Sequence, residues 1–211
     1  MKKLFKILKI LCIIVLISPL VLSWLPSSYF AGLVPQRIVD SGYFASLVSS
    51  FKELSITLAA TLLFAMLLSF ILGYISVLWM KVGRGFANIL NAVESIPAIL
   101  VALFCYAPVS GYLARHTSAA STVMSLVVFV LAATVTTLPE AVRSIAIPLI
   151  DLYNRKYSLS FRSYGFPKMR ILAILMTTDL MRSTFRRVAA GILLKTLVLD
   201  CSFGFIIQLG F

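Results

Sequence analysis

Ionisable side chains inside long apolar stretches are where this chain could do chemistry. Glu94 lies early in one such stretch, with Pro97 close behind it, and Lys195 and Asp200 lie in another. A charge within a membrane is costly, so such groups pair with a neighbour or line a polar path. Glu94 reads two ways: as the partner of a nearby arginine, with Arg84 the closest in sequence, or as part of the inner mouth of a pathway. Lys195 and Asp200 fall about 140° apart around a helix, so they do not face each other. Each is expected to meet another helix, another subunit or the outer interface. Glu94, Pro97, Lys195 and Asp200 are therefore the pathway candidates. His116 is the single histidine, and no Cys or carboxylate is spaced to complete a metal site with it. No serine has acid–base partners spaced for nucleophilic catalysis. No G-x-x-x-x-G-K-[ST] loop occurs, so ATP hydrolysis would have to come from elsewhere. No catalytic, cofactor or metal residue is predicted, and the chain is not expected to be an enzyme.

A second constellation is the basic segment 151–170. Tyr153, Tyr157, Phe161 and Tyr164 recur at intervals of four, four and three. On one short helix that spacing makes an aromatic stripe, with Arg155, Ser158 and Arg162 opposite. Gly165 and Pro167 then stop the helix. Such a stripe serves either to anchor a helix at lipid headgroups or to dock it on another protein. Asp179, Arg182 and Arg186 form a further polar stripe, which with Arg187 belongs at the headgroups.

The elements that must position these residues follow from composition. Of 211 residues 61% are hydrophobic and 12% charged, with a mean hydropathy of +1.03. A water-soluble fold of this size could not hide that much apolar surface, so lipid must be the solvent for much of it. The formal charge of +12 does not mark a nucleic-acid binder, because its basic residues cluster between apolar runs. Cys12, Cys105 and Cys201 lie in or beside apolar runs without C-x-x-C spacing and read as packing residues.

The pattern predicts an all-α integral membrane protein with about five transmembrane helices. Residues 1–30 read as a retained N-terminal helix, because Pro19, Trp24 and Pro26 stand where a signal-peptide cleavage site would be. Residues 31–53 read as an external loop with some structure of its own, and 54–211 as the core. Within that core the spans are 54–80, about 86–106, 119–138 and 188–211. Residues 81–85 form a basic turn and 108–118 a second external loop. Fifteen of the nineteen Lys and Arg residues then fall on one side, Arg37, Lys52 and Arg115 on the other, and Lys195 within a span. That bias predicts a multi-pass protein of the cell (inner) membrane with its N-terminus in the cytoplasm.

Residues 157–165 also resemble the Tyr-x-Glu-Ala-Ala-x-x-x-Gly loop of permease subunits in binding-protein-dependent ABC importers. Tyr157, Arg162 and Gly165 match it in register, and Arg170-Ile171 resembles the Arg-Ile that follows. Ser95-Ile96-Pro97 and Asp200-Cys-Ser-Phe-Gly204 resemble segments of the dipeptide/oligopeptide/nickel branch. The resemblance covers about residues 50–211. It implies a type I permease fold whose segment 151–170 couples to ATP-binding cassette subunits through Tyr157, Phe161, Arg162, Tyr164 and Gly165. It further implies a second permease subunit, an external solute-binding protein, and peptides or nickel and other metal chelates as cargo. The chain departs from the pattern at Leu159, Ser160 and Phe161, where the Glu-Ala-Ala would stand. It also has Thr177-Thr178-Asp179 in place of a His-Ile-Leu-Pro-Asn, and ends where the family continues into a sixth span. A divergent, C-terminally short member is the reading, with a non-transporting scaffold or assembly subunit as its alternative and a stand-alone channel or carrier as a third.

Overall fold

The structure, a computed structural model, describes residues 14, 17–25, 42–115 and 119–208, with backbone alone at 80–82, 84, 110–115, 119–122 and 203–208. Among these residues every regular element is a helix. In chain order they are α1 (Tyr43–Leu78), α2 (Met80–Glu94), α3 (Ala98–Arg115), α4 (Ala119–Asn154), α5 (Lys156–Ser163), α6 (Lys168–Met176) and α7 (Asp179–Gln208). Residues 17–22 are helical as well, while most of the expected N-terminal span lies outside the described residues.

The chain divides into two compact units, Met1–Thr57 and Leu58–Phe211, with α1 running through both. In the first, the Trp24 indole Nε1 donates to Ser55 Oγ at 3.2 Å. The Lys52 ammonium lies 5.5 Å from the centre of the same ring. Residues 43–53, read above as part of an external loop, are the opening turns of α1.

In the second unit α4 packs against α2, α3, α5, α6 and α7. One core gathers Ile145 and Leu149 of α4, Ile171, Leu172 and Leu175 of α6, and Met181 and Val188 of α7. A smaller one joins Ala102 of α3, Phe129, Ala132 and Ala133 of α4, and Leu199 of α7. Three of the buried threonines satisfy themselves locally. The hydroxyls of Thr134, Thr137 and Thr196 donate to carbonyls one turn back, at 2.7, 2.9 and 2.8 Å. This lets a hydroxyl sit in an apolar interior without an orphaned donor.

Two helices are long and apolar enough to cross a membrane: α1, and α4 over Val123–Asn154. At 1.5 Å per residue α1 is about 54 Å long, more than the ~30 Å hydrocarbon layer requires. Its exposed residues include Leu63, Phe64 and Leu67, as a lipid-solvated helix requires. A third crossing exists if Gly85–Glu94 and Ala98–Val109 together make one broken span, because they meet at 92°. The expected continuous span 86–106 is thus broken at Ser95–Pro97, where the ring of Pro97 opens α3.

Three other boundaries differ from expectation. The basic turn at 81–85 is inside α2, and the break lies one step earlier, at Trp79 with φ −117° and ψ 90°. The external loop from Pro108 is helical as far as Arg115. The span ending near Leu138 continues through Pro139 and Pro148 to Asn154. Each internal proline removes one hydrogen bond, and helices flanked by neighbours and hydroxyl side chains tolerate that loss. His116 lies outside the described residues.

Candidate functional site

The segment 151–170 comprises the last turn of α4, all of α5 and the start of α6, and α5 and α6 form a hairpin of two short helices after α4. Arg155, with φ −71° and ψ 157°, leaves the helical region and starts α5 in a new direction. Its guanidinium pairs with Asp151 at 3.0 Å. After eight helical residues α5 ends, and the chain turns at Gly165, whose φ of +77° is left-handed. There the Gly165 N–H donates to the Arg162 carbonyl at 2.9 Å and the Phe166 N–H to the Phe161 carbonyl at 3.1 Å. The Phe161 and Phe166 rings meet edge-on, 5.8 Å between centres. These are the two bonds and the apolar contact of a complete Schellman stop. Pro167, φ −65°, then opens α6.

Basic side chains fasten this hairpin from within. The Arg162 guanidinium carbon lies 3.6 Å from the centre of the Tyr153 ring, and its Nη2 donates to the Tyr153 carbonyl. Lys168 Nζ donates to the Leu78 carbonyl at 2.8 Å. That places an ammonium on a carbonyl at the C-terminus of α1, the end a cation favours. Burial, and then the charge of Arg162, lowers the pKa of Lys168 below its usual 10.5. The Tyr74 hydroxyl donates to the Met169 carbonyl at 3.0 Å. The hairpin is therefore tied to the ends of both α1 and α4.

The five residues named for this segment divide by direction. Phe161 packs on the core, Arg162 turns inward onto Tyr153, and Gly165 makes the stop. Tyr157 and Tyr164 project outward, 41% and 80% exposed, beside Leu159 and Met169 at 50% and 59%. The expected single aromatic stripe is corrected. Tyr153 belongs to α4, and the break at Arg155 resets the helical phase. Ser158 is fully buried, and Arg162 lies on the Tyr153 side instead of opposite it.

Two of the pathway candidates, Glu94 and Lys195, meet partners that sequence distance hides. Glu94 Oε2 is 2.7 Å from Arg143 Nη2 of α4, which also donates to Asn91 Oδ1. Glu94 thus has an arginine partner in Arg143, and the Arg84 side chain lies outside those described. Lys195 pairs with Glu140, again on α4. Glu140 and Arg143 share a face of α4 at i,i+3 spacing, so two ion pairs of alternating sign tie α7, α4 and α2 together. Pro97 and Lys195 line one cavity of about 290 Å³. Asp200 is half-buried and is not among the residues lining it. Glu140 was missed, although a carboxylate beside Pro139 in an apolar run was itself a signal.

Along the first turn of α7, Asp179 and Arg182 approach to 4.0 Å and are largely exposed. Among the described residues no group of three His, Cys, Asp or Glu could hold a metal. No protein family, curated protein or solved structure matches the chain.

Proposed function

We propose that this chain is a membrane permease subunit of an ATP-driven importer, driven by separate ATP-binding cassette subunits that seat against α5. The observation that carries this reading is the α5 hairpin. It is a short helix with outward aromatic side chains at Tyr157 and Tyr164. Its inner side is bolted to α1 and α4 through Lys168 and Arg162. A partner that moves α5 pulls on two long apolar helices at once, which is the lever that rigid-body coupling needs. The charge bias read from the sequence supports the side: the hairpin and the N-terminus face the cytoplasm, in a multi-pass inner-membrane protein.

A second permease subunit completes the pathway in this account, and an external solute-binding protein delivers cargo. Peptides or nickel and other metal chelates are the cargo class, carried by the resemblance of residues 50–211. Without a phosphate-cradling loop of its own, the chain takes its energy from the ATPase.

Tagged purification from native membranes in mild detergent, with partners identified by mass spectrometry, tests the assembly. The expected result is a stoichiometric Walker-motif ATPase together with a second permease. Recovery of the chain alone, or as a homo-oligomer, at every detergent strength would reject the importer and favour a scaffold.

A further inference from the structure

Two contacts fix α2, one near each end. Gly83 lies against the last turn of α1, so close that an added Cβ would sit 2.4 Å from the Ser76 carbonyl oxygen. Eleven residues on, Glu94 Oε2 is 2.7 Å from Arg143 Nη2 of α4. Beside α2, between these contacts, runs a groove of about 360 Å³. Its wall is made by Phe86 and Leu90 of α2 and by Val142, Ala146, Ile147 and Ile150 of α4. That volume falls within the usual range of ligand sites, about 300–1,000 Å³. Ala87 lines it too, and with Ala146 it leaves room that larger side chains would fill.

The polar groups in the wall are already engaged. The Arg143 guanidinium donates to Glu94 and to Asn91 Oδ1, and Ser76 Oγ donates to the Gly73 carbonyl at 2.8 Å. Among the lining side chains no free charge is left to recruit an ion. An apolar space of this kind does not hold water, and leaving it empty forfeits the dispersion contacts of its lining. The rim is apolar as well, with Ile147 59% exposed. α2 itself is amphipathic: Phe86, Ile89, Leu90 and Val93 fall on one side, Asn88 and Asn91 on the other. It meets α3 at 92°. A helix of that pattern, turned across its successor, suits the membrane interface, where its apolar side meets acyl chains.

We propose that the groove between α2 and α4 seats one acyl chain of a bilayer phospholipid, which fills the gap beside α2 and holds it to α4. The bilayer surrounds these helices and supplies the chain at high concentration, so no dedicated delivery is needed. Shape and apolarity select the occupant, and the headgroup stays outside the groove. The inference stands apart from the importer reading, since it needs only these helices and a bilayer.

The test extracts the full chain, with the partners it retains, from native membranes. Washing in mild detergent removes loosely held lipid, and native mass spectrometry counts the phospholipid that stays bound. The wild type should retain phospholipid. Ala87→Phe, which puts a ring into the groove, should lower the retained amount about tenfold, the equivalent of about two buried CH₂ groups lost. Ile89→Phe, on α2 but outside the lining, should leave it unchanged. Where Ala87→Phe does not fold, Ala146→Leu makes the same prediction from the α4 side. Phosphatidylglycerol and phosphatidylcholine with the same dioleoyl chains should rebind equally to the delipidated protein, because no free charge in the groove reads a headgroup. No retained phospholipid on the wild type, undiminished retention by the filled variant, or a strong preference for one headgroup would overturn the proposal.

Discussion

Gly165 carries the turn that separates α5 from α6 with one backbone angle. An added Cβ would meet no atom within 4 Å there, so space is not what selects glycine. The positive φ is, and placing an L-residue in it costs about 1–2 kcal/mol. Gly165→Ala should therefore lower the thermal unfolding midpoint in detergent. Gly165→Asn should lower it less, because asparagine tolerates the left-handed region. Equal midpoints for wild type and Gly165→Ala would contradict the assigned stop. This stop was legible in the sequence because glycine and proline act through their own torsions. The ion pairs were not. Glu94 and Arg143 are 49 residues apart, and nothing local to Glu94 distinguishes Arg143 from Arg84, its nearer neighbour in sequence. Lys195 was legible as a charge needing a partner on another helix, while the identity of Glu140 required the packing of α7 on α4.

Helices in this protein begin and end where the backbone is obstructed, and proline alone is a poor guide to those points. Pro108, Pro139 and Pro148 all lie inside helices, whereas Trp79 ends one without a proline or glycine at the break. What permits the close approach of α2 to the last turn of α1 lies four residues on, at Gly83. A Cβ there would come within 2.4 Å of the Ser76 carbonyl oxygen, a backbone atom that cannot swing aside. Gly83→Ala should open the α1–α2 junction, at a cost of about 1–3 kcal/mol typical of overpacking. Protease accessibility around residues 76–86 should rise with a lower unfolding midpoint. Unchanged cleavage and midpoint would contradict so close an approach. The glycine was visible in the sequence and was read as part of a turn, because a contact between successive helices leaves no periodic trace. The aromatic periodicity across Tyr153 to Tyr164 misled for a related reason. It runs through Arg155, where the helix it presumes is interrupted.

At the scale of the whole molecule, composition and charge order carried the reading of a helical membrane protein. Two helices long and apolar enough to cross, or three counting the bent pair, agree with its coarse form. The count of about five also needs residues 10–25 and 188–211, parts of which fall outside the described side chains. Docking of an ATPase would use one surface, the outward side of α5 and its turn. Tyr164, 80% exposed beside the Gly165 stop, is the residue best placed to report on it. The most direct measurement is cross-linking in native membranes from Tyr164→Cys, with Cys12, Cys105 and Cys201 replaced by Ser. A short thiol-to-amine cross-linker should join this position to a Walker-motif ATPase, and ATP should change the yield as the partner closes. Absence of any cross-link, with Tyr164→Cys labelled by an impermeant thiol reagent from outside intact cells, would contradict both the docking surface and its side of the membrane.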